Sequence, residues 1–146
     1  MTDKELWDIF VRKENIKETE YEAWAFGAAP DKLAELVTAG IKTATASAYP
    51  LYEFTNEPRP KEGGYSVILN SNAEAICIIK TTRVYIVPFS RVTREHAYKE
   101  GEGDRSLAYW REVHREFFED CLQDTNLSFD ENMPVICEEF QCVYVA

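Results

Sequence analysis

The chain has 146 residues, of which 45% are hydrophobic and 29% charged, and its formal net charge is −10. This size and composition predict a single domain over residues 1–146 that is cytoplasmic and has no membrane-spanning segment. The negative charge argues against duplex DNA as a partner, because such binding depends on basic side chains that neutralise phosphates. The four cysteines form no CxxC pair and there are only two histidines. We therefore expect reduced thiols, no metal site and no cofactor.

The first forty residues contain two helix patterns. Residues 3–13 place apolar side chains on one helical stripe, which predicts an opening amphipathic helix. The aromatic segment Tyr21–Gly27 is interpreted as a short piece that covers one end of the core. The stretch "APDKLAELVTAG" then predicts a second helix, with Pro30 in its first turn and Gly40 as its stop signal.

The middle of the chain is typical of a loop followed by a β-hairpin. The stretch "YPLYEFTNEPRPKEGG" has three prolines and paired glycines, which indicates a long loop. Two β-branched segments flank the "NSNA" turn and predict a hairpin from about Tyr65 to Val87. A turn and a short helix that ends at Gly101 should follow.

The last forty residues predict a helix and a closing strand region. An apolar stripe indicates a helix from Asp104 to about Leu122, with Asp104 as its N-cap. The final "PVICEEFQCVYV" is expected to form one or two strands. Together these elements predict a mixed α/β (α+β) fold, in which about three helices flank a small, mostly antiparallel β-barrel.

One lysine lies in an unusual context. Lys42 is surrounded by small side chains in "AGIKTATAS", just after the expected helix stop. In a regular strand, Lys42 and Thr45 would point to opposite faces, because residues three apart alternate. A joint role for the two therefore requires a bend between them. A packed structural turn remains the alternative.

Two polar residues near Gly101 are further candidates. His96 and Glu100 are four residues apart and share a face of the short helix, although an ordinary surface pair would look the same. Glu100 precedes Gly101 at the helix C-terminus, whose partial negative charge favours a protonated carboxyl. This placement predicts a proton donor near neutral pH. His114 lies between aromatic residues on its helix, and a hydrogen-bonded core histidine is the preferred interpretation there.

At the level of motifs the chain resembles the ASCH domain (activating signal cointegrator homology) family. The residues that carry the resemblance are "GIKTAT", "EHAYKEGEGDRSLAYWREVHREFF" and the final "FQCVYV". They are most similar to the larger bacterial branch of single-domain members. The resemblance implies a barrel like that of the PUA domain, with a cleft for RNA or nucleotide-like ligands.

The resemblance also implies a chemistry. One bacterial member is an amidohydrolase that removes the acetyl group of N4-acetylcytidine with a lysine base, a threonine nucleophile and a glutamate donor. The matching residues here are Lys42, Thr45 and Glu100, the last within "HAYKE". Because an ammonium cannot act as a base, Lys42 would need to be desolvated or placed among donors. A threonine hydroxyl in turn needs such a base to become nucleophilic.

Other residues are expected to bind the ligand. Trp24, Tyr49 and Tyr52 are candidates for stacking on a pyrimidine ring. Arg83, from a stretch with four bases and no acid, and His96 complete the predicted binding set. Two alternatives remain open: a non-catalytic module that binds a nucleotide or single-stranded RNA, and a metal-dependent ribonuclease. The oligomeric state is also left open, with a dimer as one alternative.

Overall fold

A computed structural model describes residues 1–18 and 20–146 as five α-helices and five β-strands. The helices are α1 (Asp3–Lys13), α2 (Pro30–Thr38), α3 (Tyr49–Thr55), α4 (Arg94–Glu100) and α5 (Leu107–Leu122). The strands are β1 (Glu22–Ala25), β2 (Ala44–Ala48), β3 (Tyr65–Leu69), β4 (Ala75–Pro88) and β5 (Pro134–Val145). A single 3-10 turn, Phe89–Arg91, links β4 to α4.

The strands form one curled sheet in the order β1-β3-β4-β5-β2. β1 pairs with β3 in parallel, and the other neighbours are antiparallel. The long strands β4 and β5 lose register at two points, between Ile78 and Ile79 and between Thr81 and Arg83. Such irregularities increase local bend and twist, so they curl the sheet into a half-barrel whose open edges are β1 and β2.

Helices cover both ends of the curled sheet. Leu6, Trp7 and Phe10 of α1 are buried against residues of β3 and β4. At the other end, Trp110 and Phe118 of α5 are buried in a cluster that includes residues of β5. The amphipathic patterns of these two helices thus reflect the side chains that they bury.

The predicted mixed α/β fold is confirmed, the predicted small barrel is a half-barrel, and the helices differ in number and start. The expected long loop contains α3, which begins with Tyr49 and Pro50 and has no fully buried residue, although Leu51 packs in part against the core. The described residues therefore hold five helices, against the three or so expected. The last helix begins later than predicted: Ser106, not Asp104, is its N-cap and accepts a hydrogen bond from the Tyr109 amide. Among the described residues, no helix is long and apolar enough to cross a membrane.

Candidate functional site

The loop between α2 and β2 is fixed in place by backbone hydrogen bonds. After Gly40, which has φ +76, the amides of Ile41 and Lys42 both donate to the Leu36 carbonyl. The Thr43 amide donates to the carbonyl of Lys99 near the end of α4. Lys42 and Thr43 therefore lie in this loop, outside the regular strand β2 that begins at Ala44.

A glycine allows α4 to end against this loop. Gly101 has φ +74, and a Cβ at this position would lie 2.6 Å from the carbonyl oxygen of Ile41. Only a residue without a side chain fits both the left-handed conformation and the contact. As a result, Glu100 and Glu102 on either side of Gly101 both reach Lys42.

Lys42 is buried and is surrounded by acceptors. Its side chain is 1% exposed, and Nζ lies 3.2 Å from Oε1 of Glu100 and 2.7 Å from Oε2 of Glu102. A third contact, of 3.4 Å, joins Nζ to the Glu100 carbonyl. Three acceptors match the three donors of an ammonium group. The ring of Phe26, with its centroid 5.3 Å from Nζ, adds a cation–π contact.

Glu100 is the centre of the buried polar cluster. Besides Lys42, Oε1 lies 3.4 Å from Nε2 of His114, while Oε2 accepts from His96 at 2.7 Å and from Trp110 at 2.6 Å. Burial raises the pKa of the Glu100 carboxyl, but the charges of Lys42 and His114 and the hydrogen bonds from His114 and His96 outweigh it. The pKa therefore lies well below the usual 4.5. The protonated Glu100 expected from the helix C-terminus is wrong, because these donors dominate.

His114 provides a second cation to this cluster. Its Nδ1 lies 2.9 Å from the Trp110 carbonyl and must donate, since a carbonyl only accepts. A neutral ring would then turn a lone pair at Nε2 toward the Glu100 carboxylate, so protonation is favoured. Burial lowers the pKa of His114, but Glu100 and the Trp110 carbonyl raise it by more, and the result lies above 6.5. The ring also stacks on Trp110 with centroids 4.1 Å apart.

This cluster predicts a stability that falls on the alkaline side. Because the pKa of His114 is raised in the folded state, its contribution to the free energy of unfolding is complete below about pH 6.5. This contribution is lost as the pH rises through the folded pKa. We expect the ring signals of His114 to titrate above 6.5 in a proton–nitrogen NMR titration. His114→Gln assigns these signals, because only two histidines are present. The wild type should lose more stability between about pH 6 and pH 9 than this variant does. Titration of His114 at or below 6.5 would contradict the prediction.

The curled sheet encloses a cavity of about 930 Å³ between its two edge strands. We call it the edge cavity: residues of β1 line one side, and Thr45–Ala48 of β2 line the other. Lys42, Thr45 and Glu100 all contribute to its lining. Within residues 1–18 and 20–146, nothing forms a hydrogen bond to the Thr45 hydroxyl, which leaves it available to a ligand.

The edge cavity is acidic and partly aromatic. Four basic side chains line it, Lys42, Arg59, Lys61 and His114. Its seven glutamates are Glu18, Glu20, Glu22, Glu57, Glu100, Glu102 and Glu138. This excess of carboxyl groups opposes the entry of a phosphate.

The predicted ligand-binding residues divide into two groups. Trp24 and Tyr52 line the edge cavity. Three others do not. Tyr49 accepts a hydrogen bond from Arg59, Arg83 pairs with Glu139 at 3.3 Å, and His96 is buried behind Glu100.

Two residues of the cluster escaped the sequence analysis as members of a site. Glu102 was not among the predicted site residues, and His114 was interpreted as a core histidine. The i+2 spacing of Glu100 and Glu102 around a glycine was the available signal. In the described part of the chain, no three His, Cys, Asp or Glu side chains are grouped as a metal ion would require. All four cysteines are free thiols.

Comparison with known proteins gives the family. The family model described as ASCH domain matches residues 22–144. The crystal structure of a protein from Enterococcus faecalis V583 superposes with a TM-score of 0.89 at 33% sequence identity. The match covers 97% of this chain and 88% of the Enterococcus chain. An ASCH domain from Lactobacillus crispatus JV V101 is 32% identical with a TM-score of 0.89, over 97% and 93%. An ASCH structure from Zymomonas mobilis, at 8% identity, covers 86% of this chain and 71% of that one; its TM-score of 0.50 reflects the fold alone. No functionally curated protein matches the chain significantly. The chain belongs to the ASCH domain family.

Proposed function

We propose that this protein is a cytoplasmic amidohydrolase that removes an acyl group from the exocyclic amine of a cytidine nucleoside, with N4-acetylcytidine as the test substrate. The observation that carries the proposal is the meeting of Lys42, Thr45 and Glu100 at one cavity. Lys42 and Glu100 are 58 positions apart in the sequence, so only the fold brings them into contact. The acidic lining favours a free nucleoside over a nucleotide or RNA.

The proton positions require an exchange between Lys42 and Glu100. In the resting site Lys42 is an ammonium and Glu100 a carboxylate, the reverse of a base and an acid. Transfer of one proton across the 3.2 Å contact from Nζ to Oε1 gives a neutral amine and a carboxylic acid, with no change in the net charge of the pair. A ligand that excludes water from the edge cavity would favour this neutral pair, because a dry site penalises separated charges.

The acyl transfer then uses Thr45 as nucleophile. Its hydroxyl oxygen attacks the acyl carbon while its proton passes to Nζ of Lys42. The ammonium so formed stabilises the charge on the tetrahedral intermediate and then donates a proton to the leaving nitrogen. The carbon–nitrogen bond breaks, and the free amine and an acyl ester of Thr45 are formed. Return of the proton from Glu100 restores Lys42, and water hydrolyses the ester to release the acid.

One observation favours a second candidate, a non-catalytic nucleoside-binding module. All three Nζ donors of Lys42 are already satisfied, which is the arrangement of a structural ammonium. Such a module would bind cytidine without turning over its acylated form.

Turnover separates the two candidates. Purified protein incubated with N4-acetylcytidine should release cytidine, measured by chromatography. The matching 5′-monophosphate should be hydrolysed at least about tenfold less efficiently, because the acidic lining repels it. Absence of cytidine with both wild type and Lys42→Ala would exclude the amidohydrolase. Cleavage of an RNA oligomer that a chelator abolishes would instead identify a ribonuclease.

A further inference from the structure

Glu138 is a buried carboxyl whose role the fold alone does not explain. It is 7% exposed and lines the edge cavity. The Thr81 hydroxyl donates to its Oε2 at 2.5 Å. In the described part of the chain, no donor is hydrogen-bonded to Oε1 and no cation forms an ion pair with this side chain. A buried carboxyl is costly unless it is paired, so one oxygen has the chemistry to receive a donor from a ligand.

The strand register places Glu138 next to the proposed nucleophile. Glu138 of β5 and Thr45 of β2 are direct partners in an antiparallel ladder. Side chains at such positions project from the same face with Cβ atoms about 5 Å apart. A group that reaches Glu138 is therefore adjacent to a group that reaches Thr45.

The surroundings of Glu138 favour a neutral donor rather than an anion. Burial raises the pKa of its carboxyl, the hydrogen bond from Thr81 lowers it, and the charge of Glu22 raises it; the net direction is upward. An N–H group of a ligand would offset part of the cost of burying the ionised carboxylate, because its hydrogen bond stabilises that form. The rings of Trp24 and Tyr52 line the same cavity and offer faces for a flat ligand.

We propose that Glu138 determines specificity in the edge cavity: Oε1 accepts an N–H from the edge of a planar, phosphate-free heterocycle. The inference rests on the proposed function, since it places the substrate in the same cavity. The amine of cytidine presents such an N–H, and N4-acetylcytidine keeps one. Uridine has the same size but places a carbonyl oxygen there, which would face the carboxylate without a proton between them.

The test uses binding rather than turnover. Calorimetric titration at about pH 8, well above the ordinary pKa of a carboxyl, should show that the wild type binds cytidine at least about tenfold more tightly than uridine. Glu138→Ala and Glu138→Gln should reduce this ratio to about twofold or less, because neither keeps an acceptor-only group. The matched control is Glu139→Gln, at the next residue of β5, which pairs with Arg83 and Lys99 and does not line the cavity. It should keep the wild-type ratio.

Several outcomes would overturn the inference. These are equal binding of the two nucleosides by the wild type, no binding of either, or an unchanged ratio in the folded Glu138 variants. The Gln variant keeps the shape of the side chain, so it remains informative if the Ala variant does not fold. Neither probe carries an acyl group. A Glu138-dependent ratio without turnover would therefore support the inference while excluding the amidohydrolase. Turnover of N4-acetylcytidine with an unchanged binding ratio in the Glu138 variants would support the amidohydrolase and overturn the inference about Glu138.

Discussion

Replacement of Glu100 by alanine should lower the free energy of unfolding by about 3–5 kcal/mol, the usual cost of removing one partner from a buried ion pair. The variant would leave the cation of His114 without its carboxylate, and Lys42 with Glu102 as its remaining charged partner. It would also leave the ring N–H groups of His96 and Trp110 buried without an acceptor. Urea denaturation of wild type and variant measures the difference.

A surface ion pair gives the control for this effect. Glu131 lies 2.5 Å from Arg115, but its side chain is 65% exposed. Glu131→Ala should therefore cost less than about 1 kcal/mol. Glu100→Gln keeps one acceptor oxygen and should lie between the two. Equal losses for Glu100→Ala and Glu131→Ala would show that the buried cluster does not stabilise the fold.

The pH dependence gives the same prediction a second check. The pKa of Glu100 is held below its usual value of 4.5. Its contribution to the free energy of unfolding is therefore fully present above about pH 4.5 and is lost as the pH falls through the folded pKa. The difference between wild type and Glu100→Ala should therefore be largest between about pH 4.5 and about pH 6.5, shrink in acid as Glu100 is protonated, and shrink on the alkaline side as His114 loses its proton. A difference that grows in acid would contradict the assigned charge.

The helices and strands that the sequence predicted well are those whose apolar residues recur with a clear helical or strand periodicity. α1 and α2 bury Leu6, Phe10 and Val37 at helical spacing, and the β3–β4 hairpin carries β-branched residues around a polar turn. α3 has no fully buried residue, so it gives only a weak apolar signal. The start of α5 was misplaced because Asp104 and Ser106 are both good caps. The Asp104 carboxylate, two residues before the cap, instead accepts from the Ser106 amide.

The sequence predicted some members of the candidate site but missed Glu102 and His114, and it did not predict the charges. The resemblance named Lys42 and Glu100, and the helix C-terminus suggested a protonated Glu100. The helix C-terminus was the only influence on Glu100 that the sequence revealed. In the fold, His114 and Trp110 of α5 and Lys42 of the loop before β2 also contact its carboxylate. Electrostatics in a buried cluster depends on all neighbours together, so a protonation state cannot be inferred from one helix end.

Thr45→Ala should reduce kcat/KM for N4-acetylcytidine by at least about a thousandfold, because removal of a nucleophile leaves only binding and electrostatic stabilisation. Stability should change by no more than about 1 kcal/mol, the span of strand preferences, since no hydrogen bond to this hydroxyl comes from residues 1–18 or 20–146. Thr45→Ser should retain measurable activity, because it keeps a hydroxyl at the same place. Release of cytidine under substrate-limiting conditions measures each variant.

Controls within the same stretch separate a nucleophile from a general effect of lost hydroxyls. Thr43→Ala removes a hydroxyl that is 3.4 Å from the Lys99 carbonyl and does not line the edge cavity, so activity should remain near the wild-type level. Ser47 does line the cavity, but its hydroxyl already accepts a hydrogen bond from Tyr52 at 2.9 Å. If Thr45→Ala stayed active and Ser47→Ala did not, Ser47 would be the nucleophile. Acid quenching during turnover, followed by mass spectrometry of peptides, should find the acetyl group on Thr45, since the ester forms on the side chain that attacks.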